Sequence, residues 1–216
     1  NINSFHRKLA FSVIELKPDF IVITGDSIDT KGNYELLDLF LQLFPHDLPK
    51  FAILGNWEHW AKFDVNQLNT IYRKNNCELL IDKSVIYTVK NKNILITGLD
   101  DHTASHPSLK NALKNQVPVS NHILLQHSPE FVDMVYDETD NFLTESAFDN
   151  ELTKLKDFKI DVMLSGHTHG GQIAPFGIAP ITPNGCGRYL KGWYNECNPK
   201  LFVSRGIGTS AVPMRF

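Results

Sequence analysis

Short apolar runs alternate along this chain with segments whose apolar residues recur every three or four positions. Runs at residues 20–24, 51–54, 122–125, 161–164 and 201–203 are bounded by turn residues, the pattern of buried strands. Phe5, Leu9, Val13 and Leu16 share one helical face, and Pro18 ends that helix. Leu36, Leu37, Phe40, Leu41 and Leu43 mark a second helix, closed by Pro45. Asp64 suits the N-cap of a third, which carries Val65, Leu68, Ile71 and Tyr72 and ends near Asn75-Asn76. Residues 85–89 and 94–97 flank Lys90-Asn91-Lys92-Asn93 and predict a β-hairpin. A short helix is expected over 107–113, and a helix with a flexible lead-in over the acidic stretch 137–158. From Gly170 onward Gly and Pro are dense, so loops and short antiparallel strands are expected. Strand–helix units together with hairpins predict an α/β fold with a mixed sheet, or two packed sheets, and helices outside.

Composition narrows the function classes. A chain of 216 residues with 42% hydrophobic content builds one domain with a full core, residues 1–216. The net charge of −3 and the lack of a basic stripe argue against a nucleic-acid partner. No apolar run approaches the ~20 residues that span a bilayer, and no signal-peptide pattern is seen. Cys77, Cys186 and Cys197 are odd in number, far apart and form no C-x-x-C. They predict reduced thiols in a cytoplasmic-type compartment rather than a disulfide framework or a thiolate zinc site.

The chemistry lies where the strands end. The run 20–24 leads into Gly25-Asp26, and 51–54 into Gly55-Asn56. The third strand leads into Gln126-His127, and the fourth into Ser165-Gly166-His167-Thr168-His169. Strands of one sheet end side by side, so these polar residues are expected in one cleft. Asp26, Asn56, His127, His167 and His169 together would make a hard-to-borderline metal site. Each signal alone is weak, because Asn and Asp are ordinary turn residues. In this order, each at a strand end, they become specific.

The set Gly25-Asp26 with Asp29, Gly55-Asn56-Trp57-Glu58, His127 with Pro129, and Gly166-His167-Thr168-His169 resembles the calcineurin-like metallophosphoesterase family over nearly the whole chain. The resemblance implies a four-layer α/β/β/α sandwich, two mixed sheets flanked by helices, with two divalent metal ions (Mn, Fe or Zn) at the strand ends. It implies that Asp26 bridges both metals, that Asn56, His127 and His167 complete the second, and that His169 belongs to the first. It further implies that a hydroxide bridging the metals attacks phosphorus in line. The family opens with Asp-x-His on a strand before the first helix. This sequence shows none, so the chain is expected to start one strand late and its first metal site to be incomplete. The family's Gly-Asn-His-Asp/Glu reads Gly55-Asn56-Trp57-Glu58 here. Trp57 has no titratable proton; His59 is the candidate replacement acid, and Glu58 the candidate orienter of the loop.

The tail around Tyr189, Gly192-Trp193-Tyr194 and residues 201–216 is similar to a branch holding UDP-2,3-diacylglucosamine pyrophosphatases and membrane-associated phosphohydrolases. That implies a small phosphorylated substrate, lipid- or nucleotide-linked, and peripheral membrane association on the cytoplasmic side. Arg188 and Arg205 are candidate contacts to a second phosphate or plain surface arginines. Phe176, Ile178, Ile181, Trp193 and Tyr194 are candidates for an apolar wall suited to an acyl chain. The alternatives are a protein or nucleotide phosphatase, and a non-catalytic metal-binding module.

Overall fold

The computed structural model describes residues 2–29, 32–136, 157–171 and 182–208. The stretch 137–156, Gln172, Phe176, Ile178, Ile181 and residues 209–216 lie outside them. So most of the expected acidic helix, part of the expected apolar wall and the end of the tail are not described.

Strands β1 (Ile21–Ile23), β2 (Lys50–Ala52) and β3 (Cys77–Leu79) form a parallel sheet in that order. A larger mixed sheet runs β4 (Lys83–Val89), β5 (Lys92–Gly98), β6 (His122–Leu125), β7 (Val162–Ser165), β9 (Lys200–Val203) and β8 (Gly192–Tyr194). Its inner strands β5, β6, β7 and β9 are parallel; β4 and β8 pair antiparallel at the edges.

Alternation along the strands builds the layers. Phe51 and Ile53 turn toward the other sheet and meet Leu80, Ile96 and Leu125. Ala52 and Leu54 turn the opposite way, into Leu37, Leu41, Leu68 and Tyr72 of helices α2 (Tyr34–Leu41) and α4 (Val65–Lys74). Successive side chains of a strand leave on opposite faces, so a strand covered on both sides reads as a nearly continuous apolar run. The outer face of the large sheet buries Leu124, Met163 and Leu201 under Ala112 of α5 (Leu109–Leu113) and Phe131 and Val132 of a 3-10 helix, Pro129–Met134. The order of layers is α/β/β/α, as the resemblance implies.

Several local expectations hold with shifted bounds. Asp64 caps α4 by accepting from Asn66 N and Gln67 N, and Asn76 leaves the helix at φ 50°. The hairpin turn is only Lys90-Asn91, both left-handed at φ 48° and 66°, the conformation two-residue hairpin loops demand. Lys92 and Asn93 therefore belong to β5. Helix α1 (Ser4–Glu15) follows its periodicity, yet only Ala10 is buried, while Phe5, Phe11 and Leu16 are exposed. Helical spacing marks an apolar face; it does not say which described residues cover it. His6 serves its cap, with Nδ1 accepting from Asn3 N. Trp193 and Tyr194 lie on β8, packed on Phe202 and Tyr189. No helix among the described residues is long and apolar enough to cross a membrane.

Candidate metal centre

The C-terminal ends of β1, β2, β6 and β7 bring Asp26, Asn56, His127 and His167 to one edge of the sandwich. Two glycines make the approach close enough. Gly25 sits at φ +90°, and a Cβ there would lie 2.6 Å from Gly55 N and 2.7 Å from His127 Nδ1. A Cβ on Gly55 would press on the Asp26 carboxylate and lie 2.7 Å from His127 Cε1. Asp26, His167 and His169 are themselves left-handed, at φ 56°, 66° and 52°, a conformation that costs an L-residue about 1–2 kcal/mol. The surrounding contacts must hold that strain.

Glu58 is the main holder. It sits in a helical turn too short to show a period in sequence, α3 (Asn56–Trp60), and it is fully buried. Its carboxylate accepts from Gly55 N at 2.8 Å, Asp26 N at 3.0 Å, Ser27 N at 2.5 Å and Ile28 N at 3.3 Å. One side chain thus fastens the loop after β1 to the loop after β2. Burial, then the charge of Asp26, push the Glu58 carboxyl above its ordinary range; the N–H groups of Gly55 and Ser27 pull it back.

The candidate ligand atoms are aimed by their far sides. His127 Nδ1 lies 2.6 Å from Thr24 O, and His167 Nε2 lies 2.6 Å from Asn184 O. A carbonyl only accepts, so those nitrogens donate and the opposite ones turn inward as acceptors. His127 Nε2 and His167 Nδ1 are 3.1 Å apart. Asn56 Oδ1 is 3.2 Å from the first and 2.9 Å from the second. Asp26 Oδ2 is 3.3 Å from His127 Nε2, and Asp26 Oδ1 is fixed by Trp57 N at 3.0 Å. The donor set of Asp26, His127 and His167 falls within 4.8 Å. Lone pairs of a carboxylate, an amide oxygen and two imidazoles converging on one point suit a divalent cation. Without one, a proton must take its part. Burial alone would lower His127, but the adjoining Asp26 carboxylate lifts it to about 9. Burial and the His127 charge lower His167. Asp26 feels burial as a rise, outweighed by His127, and ends below its ordinary value.

His169 faces the same cleft, a space of about 220 Å³ that Asp26, Asn56 and His167 also line. Trp57, Trp60 and Pro183 line it too. The other candidates, His59, Arg188 and Arg205, are not among its lining residues. His59 Nε2 meets Asp100 Oδ1 at 2.7 Å and its ring packs edge-on to Phe63. The Arg188 guanidinium lies 5.1 Å from the centroid of the Tyr189 ring. Arg205 lays its stem beside Gly170, just past His169. A larger cavity of about 440 Å³, bounded by Asn69, Arg73, Glu78 and Lys83, holds none of the candidate residues.

Asp101 was not singled out from sequence. It is fully buried and accepts from Ser128 Oγ at 2.6 Å and Thr103 Oγ1 at 2.5 Å. Its charge raises both His127 and His167. The signal was present: the apolar run of β5 also ends on Gly98-Leu99-Asp100-Asp101.

A family described as calcineurin-like phosphoesterase matches residues 1–171. The chain is 29% identical over 222 residues to the uncharacterized metallophosphoesterase YkuE of Bacillus subtilis, across 97% of this chain and 68% of that protein. It is 30% identical over 213 residues to an uncharacterized metallophosphoesterase of Aquifex aeolicus, across 92% of this chain and 69% of that one. It is 24% identical over 200 residues to the phosphodiesterase YaeI of Escherichia coli, across 91% of this chain and 66% of the other.

Proposed function

The chain belongs to the calcineurin-like phosphoesterase family and is a metal-dependent phosphoester hydrolase; from that premise we propose that it hydrolyses phosphodiesters or diphosphates at the Asp26–His167 cleft. The observation that carries this reading is the convergence of Asp26 Oδ2, Asn56 Oδ1, His127 Nε2 and His167 Nδ1, each aimed by a partner on its far side. The reading assigns these four residues to one metal, and Asp26 with His169 to a second. Divalent cations there would lower the pKa of a bound water and offset the charge developing on phosphoryl oxygens.

The protein's own residues supply orientation. Glu58 holds the Asp26 and Asn56 loops in register, Thr24 and Asn184 fix the two imidazoles, and Asp101 places a negative charge behind them. Among the residues lining the cleft, Trp57 stands where the family carries a histidine and has no proton to give a leaving group. His59, held on Asp100, is the remaining candidate. This supports substrates whose leaving group departs as a stable anion, such as a diphosphate or an aryl ester. The resemblance of the tail supports a lipid- or nucleotide-linked diphosphate, met at a membrane surface, with Arg205 beside the His169 loop as a candidate contact.

The test is hydrolysis of bis(p-nitrophenyl) phosphate by the Mn²⁺-loaded protein. Cleavage lost on chelation and in His167→Ala is expected. Turnover that survives both contradicts the proposal.

A further inference from the structure

The cleft is lined by more than the candidate ligands: two indoles border it, with Thr103, Pro183 and Asn184. Trp57 and Trp60 both line it, with ring centroids 5.7 Å apart and planes inclined by 55°. Their position relative to the ligands is fixed rather than incidental. Trp57 follows Asn56 directly, and its backbone N–H donates to Asp26 Oδ1 at 3.0 Å. The short helix that carries both tryptophans is the one Glu58 anchors to the β1 loop. Trp60 is 62% exposed. A large apolar ring left uncovered beside a polar cleft offers a π-face to whatever occupies that cleft. An indole face stacks well on a flat ring and gains little specific contact from a short alkyl group.

We propose that Trp57 and Trp60 form a stacking platform for a flat aromatic ring joined to the substrate's phosphorus, and so set specificity for aryl or nucleobase-bearing phosphoesters. The platform rests on the assignment of the reacting phosphorus to the Asp26–His167 cleft. It also gives the Trp57 position a use: the side chain that replaces a proton donor holds the organic group instead. Neither tryptophan acts on the reacting atoms; both are specificity-determining.

Phenylphosphonate and ethylphosphonate present the same oxyanion and differ in the ring, so their inhibition constants against bis(p-nitrophenyl) phosphate read the platform. In wild type the phenyl compound is expected to bind about tenfold tighter. Trp60→Ala, a change at an exposed position, should narrow the ratio to about twofold, and Trp60→Phe should restore most of it. Adenosine 5′-monophosphate separates the sources: inhibition tighter than by phenylphosphonate points to a nucleobase, weaker inhibition to a simple aryl group. A wild-type ratio near one, or a ratio unchanged in Trp60→Ala, overturns the platform even where hydrolysis is intact. Quenching of intrinsic tryptophan fluorescence by phenylphosphonate that is lost in Trp60→Ala reads ring contact without turnover, apart from the exposed Trp193. A protein that fails to hydrolyse yet shows ring-selective quenching therefore loses the hydrolase reading and keeps the platform.

Discussion

One buried histidine starts strand β6 and another lies just past its end, and the two have opposite fates. His122 and His127 are each 1% exposed. His122, at the start of the strand, lies 2.8 Å from Thr97 Oγ1, itself bonded to Ser84, and packs edge-on to Phe158. Burial drives it down to about 4, against the pull of Asp161. It is a neutral core residue. His127, past the strand's far end, meets Asp26, Asn56 and His167 and is lifted to about 9. Burial is shared, so burial does not make a ligand. What differs is the company: hydroxyls at one end, which can give or take a hydrogen bond, and a set of acceptors at the other, which only a proton or a cation reconciles.

Removing a candidate ligand at one end should therefore do far more than equal surgery at the other. His167→Ala is expected to cut turnover by about a thousandfold or more and to release bound metal, as measured by kinetics and elemental analysis. His122→Ala should leave metal content unchanged, and an equal loss of metal in both would break the contrast. Glu58→Ala comes next. Four backbone N–H groups lose their acceptor, which costs about 3 kcal/mol or more of stability. Metal affinity should also fall, by about 10–100-fold. Glu58→Gln, with one acceptor oxygen, should fall between, as read by denaturant midpoints.

Acid sharpens the comparison further. The His122 pKa is depressed on folding, so the neutral ring stabilises the fold fully above its unfolded value near ~6.5. That contribution is lost as pH falls toward about 4. Its loss amounts to on the order of 3 kcal/mol, seen as wild-type unfolding free energy that drops between pH 7 and 4 more than that of His122→Gln. His127 runs the other way. Its pKa of about 9 means it holds a proton at neutral pH. Metal binding there should release about one proton, and apparent affinity should rise by about 1.4 kcal/mol per pH unit toward 9. Calorimetry in buffers of different ionisation enthalpy checks this.

Much of the site was legible because its grammar is simple: an apolar run that ends on Asp, Asn or His marks a strand that delivers a polar residue to the sheet edge. Asp26, Asn56, His127, His167 and His169 all obey it; four of them line one cleft, and His127 meets Asn56 Oδ1 at 3.2 Å. Asp101 obeys it too and was passed over, since its role depends on facing Ser128 and Thr103 rather than the cleft. Helix α3 escaped notice because its five residues, Asn56–Trp60, are too few to show a period. Its folding comes from Glu58 reaching back to Gly55 N. Of the expected apolar wall, Phe176, Ile178 and Ile181 lie outside the described residues, and β8 packs Trp193 on Phe202 and Tyr194 on Tyr189 at the sheet edge. Strand order, unlike strand existence, is set by pairings distant in sequence.

Anomalous diffraction at the manganese edge, on crystals grown with Mn²⁺, tests the central claim most directly. The expected result is a peak about 2.0–2.3 Å from Asp26 Oδ2, Asn56 Oδ1, His127 Nε2 and His167 Nδ1. Ions bound elsewhere, with His127 Nε2 still bonded to Asp26, would contradict it.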